Sequence, residues 1–472
     1  MMYKLTRNIV FMTALLGLGL TSCGDYYPGS KEEPYDTDLK TVKITNAGAD
    51  GSMVVSGTID ETNKMINFPR LDVASNFSGI KVDAEVSDGA QLQQSSFDFS
   101  MADDEVEKTL ILRVINHKRY KDYFIKVRKN IPVYGADFTK STVYNYSGDH
   151  IYADFTSLLT RSASFDGNYV LIVSRAANKP HLLKVSDLIA GTPNPIPLDL
   201  TGVSGGTYSY NQGALANGHI YIATLSGSKA SPLKIYYWDT PNAIPETIAN
   251  INVANIPNSG NRYGDNMSVS IDKNGNGYIF FGDNASTSIL RLSVTNHKTI
   301  DNPVVLPSNA NATAFMNINC IEGTSQYVWS GVRIPVALTD ESANVKYAMN
   351  AANIASEAID PRIFTFNNER YLMVCTAGLG SASKATPTIY VYNITRGNTI
   401  EEALKIFDNS DNHNPVYSFA LGGFGNSAPS AQTGYYVEKD ANGKDSKLYI
   451  FGARSDSGFA ICSFPIKQQD DN

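Results

Sequence analysis

The stretch "SIDKNGNGYIFFGD", Ser270 to Asp283, holds a strand end, an Asn-Gly turn and an unbroken apolar strand in one short run. Asn-Gly suits tight hairpins because it tolerates the positive φ that such turns demand. The unit recurs. It is followed by "SILRLSVTN", as "SFDGNYVLIVSR" is by "HLLKVSDL" and "LANGHIYIATLSG" by "PLKIYYWDT". Later copies pair "IEGTSQYVWSG" with "NVKYAMN", "TFNNERYLMVCTAG" with "TIYVYNITR" and "EKDANGKDSKLYIFGA" with "FAICSFPIK". The apolar strands open at Tyr169, Ile220, Tyr278, Tyr327, Tyr371 and Leu448, at intervals of 51, 58, 49, 44 and 77 residues. A fourth strand often follows, as in "IPLDL", "PVVLP" and "PVYSFAL". A period near 50 with three or four strands per unit marks a β-propeller. Six units fill residues 132–472 and predict six blades, or seven or eight if two units have been merged. The last unit lacks a clear fourth strand, and "STVYNYSG" (Ser141–Gly148) precedes the first. That N-terminal strand is expected to complete the last blade.

Ahead of the repeat, residues 39–131 show a different rhythm. "TVKIT", "SMVVSGTID", "KMINFPRLD", "IKVDAEVSD", "KTLILRVIN" and "DYFIKVRKN" are short and separated by turn residues. Leu110, Leu112 and Val114 alternate with Ile111 and Arg113; Tyr123, Ile125 and Val127 alternate with Phe124, Lys126 and Arg128. Period two without a helical pattern predicts an antiparallel β-sandwich. The fold class is therefore all-β, a sandwich followed by a propeller. His117 reads as a turn residue.

Lys4 and Arg7 precede the apolar run "NIVFMTALLGLGL" (Asn8–Leu20). That run is shorter than the ~20 residues a membrane span needs and suits a signal peptide. It leads into Leu20-Thr21-Ser22-Cys23, which resembles the lipobox of bacterial lipoproteins. The resemblance implies cleavage after residue 22 and lipid on Cys23. Residues 23–38, beginning Cys23-Gly24 and running into "DYYPGSKEEPYDTD", then form a flexible tether. Lipobox, sandwich and divergent propeller together resemble the layout of an uncharacterised group of Bacteroidetes-type outer-membrane lipoproteins, in which the N-terminal domain is Ig-like. That resemblance implies an outer-membrane location, facing the periplasm or the cell surface. It carries over no catalytic residue.

The chain has 39 Lys+Arg against 46 Asp+Glu. Losing Lys4 and Arg7 with the leader leaves 37 against 46, a net of −9. No basic block appears, which argues against nucleic acid as a partner. Cys320, Cys375 and Cys462 sit in strand-like runs without metal-ligand spacing and read as small buried hydrophobes.

No HExxH, phosphate-loop or dinucleotide motif occurs. "DKNGNG" places Asp272, Asn274 and Asn276 like the start of a calcium loop, with Asp283 at the twelfth position. A strand follows instead of a helix, so the run reads as a hairpin turn, "DANGKD" (Asp440–Asp445) likewise, and no cofactor is expected. The segments that precede each innermost strand are the more informative ones, since they ring the channel on one face. They offer Arg161, Tyr208, Tyr210, Gln212, Arg262, Tyr263, Asp265, Asn266, Asp360, Arg362 and Asn426. Tyrosine faces with amide and guanidinium donors suit sugars. The sequence favours a lipid-anchored accessory protein that binds a glycan or another ligand on this face. A polysaccharide hydrolase or lyase using Asp265 and Asp360 is the alternative; a scaffold docking on an outer-membrane transport complex is the second.

Overall fold

The structure, a computed structural model, describes residues 35–468 except 103–104, 131–132, 156–158, 284–285, 308–315, 332–333, 377–385 and 424–430. Cys23 and Asn426 lie outside the described residues. The protein is all-β apart from two α-helices and a few 3-10 turns among the described residues, and it divides into two compact units, Met1–Pro132 and Val133–Asn472.

The first unit has two sheets. One runs Met53–Ser56, Leu39–Ala47, Ile80–Val86, Ser96–Phe97; the other runs Thr58–Asp60, Met65–Asn67, Arg119–Asn130, Glu107–Asn116, Gln91–Leu92. Both feed one core that includes Ile44, Phe68, Leu112, Tyr123 and Ile125. The period-two reading places the inward residues correctly: Leu112, Val114, Tyr123, Ile125 and Val127 are buried, while Ile111 and Phe124 face each other across the strand pair and are exposed. The expectation of purely antiparallel pairing is corrected. Met65–Asn67 and Leu71–Asp72 both pair in parallel with Arg119–Asn130. They reach that strand from far away in the chain, so no tight hairpin sets their direction. His117 sits at the tip between the two longest strands with φ +55.

The second unit contains six consecutive antiparallel sheets among the described residues. Sheets one to six open with Thr160–Phe165, Tyr208–Ala216, Ser268–Ile271, Asn317–Cys320, Ala358–Phe366 and Ala431–Lys439. Each continues outward strand by strand in chain order. The fourth strand of sheet six comes from the other end of the unit: Thr142–Ser147 pairs with Gly458–Pro465, Thr142 opposite Ser463 and Ser147 opposite Gly458. Each first strand adjoins the first strand of the next sheet, and that of sheet six adjoins that of sheet one, so the sheets form a ring.

Burial explains why the second strands read as continuous apolar runs. Tyr169–Ser174, His219–Leu225 and Tyr327–Gly331 are buried almost throughout. Each sheet packs against neighbours on both faces, so alternation has no solvent side to serve. The first strands are more polar, and their polar side chains join sheet to sheet. The Ser162 hydroxyl donates to the Gly213 carbonyl at 3.0 Å. The Ser164 hydroxyl accepts the Leu215 N–H, Ser268 that of Ile318, and Ser270 that of Cys320, all at 2.9–3.0 Å. Adjacent first strands are therefore bridged by hydroxyls where a continuous sheet would use backbone bonds.

Two local expectations change. In sheet four the third strand is Ile334–Thr339, and "NVKYAMN" supplies the fourth, Val345–Ala348. Pro335 lies within that third strand, where the register shifts between Trp329 and Gly331 of the facing strand. The long fifth interval contains a helix, Ile400–Asp408, between the third and fourth strands of sheet five. The Thr399 hydroxyl caps the Glu402 N–H at 3.1 Å, and Ile400, Ala403, Leu404 and Phe407 are buried at helical spacing.

Candidate functional site at the mouth of the ring

First strands leave one end of the ring and second strands return to it, so segments before the former and after the latter share that end. Segment Gly260–Asn266, ahead of sheet three, is the most tightly built of these. Asp283, fully buried just after the second strand, accepts the N–H groups of Asn261 at 2.9 Å and Arg262 at 2.6 Å. The Gly260 N–H donates to the Tyr263 hydroxyl at 2.7 Å, and the Tyr263 ring is buried. Gly264 has φ +97, and a Cβ there would lie 2.1 Å from the Thr224 carbonyl oxygen, so only glycine fits the turn. Asn211 Nδ2 donates to the Gly264 carbonyl at 2.6 Å.

This fold-back sets Arg262 beside Asp265, Nε to Oδ2 at 2.8 Å and Nη2 to Oδ1 at 3.3 Å. Arg161 of sheet one approaches the same carboxylate, Nη2 to Oδ1 at 3.8 Å. Arg161 and Asp265 are buried, whereas the Arg262 side chain is 41% exposed. Burial, then repulsion from Arg175, pushes the Arg161 guanidinium down to about 10, which still leaves it cationic at neutral pH. Arg175 follows the second strand of sheet one, and its guanidinium lies 3.8 Å from the centroid of the exposed Tyr208 ring. Arg454, fully buried at the end of the second strand of sheet six, is likewise held at about 10 by burial.

The remaining expected residues divide between support and a second cluster. Gln212 is buried and donates to the Arg161 carbonyl at 3.1 Å. Asn266 clamps Gly282, accepting its N–H at 2.8 Å. Tyr210 packs half-buried between sheets one and two. Asp360, buried with φ +48, accepts from the Thr433 N–H at 2.6 Å and Asn319 Nδ2 at 2.8 Å, joining sheets four, five and six. Arg362 lies 3.6 Å from it. The two carboxylates expected to work together thus sit in separate clusters, Asp265 between arginines and Asp360 in the joint between strands. Sequence reasoning missed Arg175 and Arg454, because it searched only the segments before first strands. The segments after second strands reach the same end.

Asp272 and Asp283 serve different turns. Asp272 Oδ1 accepts the N–H groups of Asn274 at 2.8 Å and Asn276 at 2.9 Å. Asp440 treats Asn442 and Lys444 in the same way, and Asp340 treats Ser342 and Asn344. All three are Asp-capped hairpin turns. Among the described residues no group of three or more His, Cys, Asp or Glu is disposed to hold a metal. The three described cysteines are free.

Within the ring the first strands enclose a polar cavity of about 90 Å³, lined by Ser164, Ser268, Asn317, Asp360, Arg362 and Thr433 among others. Ligand pockets run to roughly 300–1,000 Å³. The cavity is therefore smaller than an ordinary ligand pocket.

No curated protein matches the chain. Among solved structures, a GH43 endo-arabinanase from Bacillus licheniformis is 12% identical with a TM-score of 0.33, over 55% of this chain and 93% of its own. A quinonprotein alcohol dehydrogenase-like protein from Bacteroides thetaiotaomicron is 10% identical with a TM-score of 0.30, over 73% and 92%. Likenesses that weak carry no argument. The crystal structure of a DUF4623 family protein from Bacteroides eggerthii is 58% identical with a TM-score of 0.78, and covers 93% of this chain and 100% of that one. The family model described as a domain of unknown function, DUF4623, matches residues 25–467, and the chain belongs to that family.

Proposed function

We propose that the chain is a lipid-anchored extracytoplasmic protein whose second unit, a six-bladed β-propeller, captures a glycan at the mouth of its ring. Residues 39–131 serve as an Ig-like spacer above the outer membrane. The observation that carries this reading is the cluster of Arg161, Arg175, Arg262 and Asp265 beside the exposed ring of Tyr208. An aromatic face with fixed polar donors is how proteins hold sugar rings and hydroxyls. Binding is favoured over hydrolysis because hydrolysis needs two carboxyls flanking one bond, at about 5–10 Å. Here Asp265 is engaged by two guanidiniums and Asp360 by the strand joint.

A glycan array probed with the detergent-solubilised full chain tests this. Binding to a defined class of glycan, lost in Tyr208→Ala at unchanged melting temperature, is the expected result. Depolymerised product that disappears in Asp265→Ala would replace the binding reading with catalysis. Co-purification with an outer-membrane transport complex in the absence of glycan binding would replace it with a scaffold.

A further inference from the structure

We infer that the end of the ring opposite the mouth carries a separate binding site, a tyrosine-lined groove where sheets one and six meet, and that it takes a neutral sugar of one or two rings. Topology places it. First strands run away from the mouth, so the turns that join them to second strands, and the ends of the third strands, lie at the other end. A cavity of about 510 Å³ opens there, lined by Gly167, Tyr169, Lys184, Tyr436, Glu438 and Tyr449 among others. That volume falls within the roughly 300–1,000 Å³ of ligand pockets, where the cavity inside the ring does not.

The lining is held in place before any ligand arrives. Tyr436 stands opposite Tyr449 in sheet six, and Tyr169 opposite Lys184 in sheet one. Side chains carried on paired strands keep their positions better than those on loops. Gly167 seats the Tyr436 ring. It has φ +92, and a Cβ there would lie 2.3 Å from that ring. Any other residue would strain the backbone and push the ring away. The turn around Gly167 is fixed by Asp166, whose Oδ1 accepts the N–H groups of Asn168 at 2.9 Å and Tyr169 at 2.8 Å. Tyr436 still leaves 37% of its surface exposed, so aromatic surface remains for a ligand. The Tyr449 hydroxyl donates to Glu438 Oε2 at 3.2 Å, which sets that carboxylate beside the tyrosine pair.

Chemistry then selects the ligand. The Tyr436 and Tyr449 rings lie 6.3 Å apart and are tilted by 45°, so they form no parallel slot to clamp a flat base. A puckered sugar ring offers C–H groups to such faces and hydroxyls to their surroundings. The Lys184 ammonium donates, the Glu438 carboxylate accepts and tyrosine hydroxyls do both, and a polyol uses all three. The Asp166 and Glu438 carboxylates disfavour an anionic ligand and Lys184 a cationic one. A neutral sugar meets neither penalty.

The test titrates maltose, cellobiose and galactobiose into the detergent-solubilised full chain, with galacturonate as the acidic comparison and uridine as the flat one. At least one disaccharide should bind about tenfold more tightly than either comparison. Tyr436→Ala should weaken that binding by about tenfold, and Tyr436→Phe, which keeps the ring, should restore most of it. Lys184→Ala together with Glu438→Ala, both at exposed positions, should weaken it by about tenfold at an unchanged melting temperature. Tyr208→Ala, at the mouth, should leave it as it was. The inference is overturned by no binding of any disaccharide, by a preference for galacturonate or uridine, or by binding unchanged in Tyr436→Ala or in the Lys184→Ala, Glu438→Ala double variant. Binding lost in Tyr208→Ala instead would also overturn it, and would assign the sugar to the mouth. The glycan reading of the mouth stands or falls separately, on the array and its own Tyr208→Ala result.

Discussion

Ser268 is buried, and its hydroxyl accepts the Ile318 N–H at 2.9 Å across the join between sheets three and four. Ser268→Ala leaves that N–H without a partner in the interior, at a cost of about 1–3 kcal/mol. Urea unfolding should show a loss in that range; a change no larger than for the exposed Ser228→Ala would show that the hydroxyl bridges contribute nothing. His181 supplies a pH dependence. It is fully buried, with Nδ1 2.9 Å from the Lys179 carbonyl, Nε2 3.1 Å from the Tyr152 hydroxyl and Asp154 at 3.8 Å. Burial, the largest influence, lowers its pKa from the ordinary 6.5. The unfolded chain therefore binds a proton that the folded chain refuses, so stability is full above pH 6.5 and declines as pH falls below it. Melting temperature should drop between pH 7 and pH 5, and His181→Gln should flatten that part of the profile; superimposable profiles would sink the assignment. At this scale the sequence was half legible. It identified "NRYGDN" as a mouth segment, and Arg262 and Asp265 do meet there. It could not tell which side of the segment faces out, so Tyr263 and Asn266, which support the turn from within, looked equivalent to them.

The second strands were the most legible elements, because burial on both faces leaves long apolar runs that no helix period explains. They begin at Tyr169, His219, Gly277, Tyr327, Glu369 and Asp445, within three residues of the onsets read from the repeat. The third strand of sheet four was passed over in favour of "NVKYAMN", which supplies the fourth, and the helix Ile400–Asp408 lies in the long interval before the last unit. Its apolar positions 400, 403, 404 and 407 were there to be read at the helical period. Thr142–Ser147 is an element whose role can be measured. It is the outer strand of sheet six and joins the beginning of the unit to its end. Along an edge strand alternate N–H groups face the partner, so changing Val143 and Tyr144 together to proline must remove one ladder bond and leave the strand unable to extend. A loss of about 2–4 kcal/mol is expected from the missing bond and the strand packing it secures. Hydrogen exchange should speed up across Gly458–Pro465, the partner strand. Unchanged protection there would mean that the ring holds without this strand.

The proposed lipidation of Cys23 belongs to the whole molecule, since it would decide where the ring works. No helix among the described residues is long and apolar enough to cross a membrane. In the proposed reading, attachment rests on acyl chains at Cys23 and on the tether from Gly24 to Asp38, which carries Pro, Gly and a surplus of acidic residues. Each buried CH₂ contributes about 0.8 kcal/mol, so one acyl chain gives marginal binding and two or more hold firmly. A chain with 37 basic and 46 acidic residues beyond the leader gains nothing from attraction to an anionic leaflet. High salt should therefore leave the protein on the membrane, while detergent should release it. Cells fed an alkyne fatty acid should incorporate label into the wild type and none into Cys23→Ser, and the label should lie on the first residue of the mature chain. Label retained in Cys23→Ser would place the anchor elsewhere. Release by salt alone would mean that charge, not lipid, holds the protein. Label lost together with retention in the membrane fraction would mean an uncleaved leader, which a mass larger by residues 1–22 would identify.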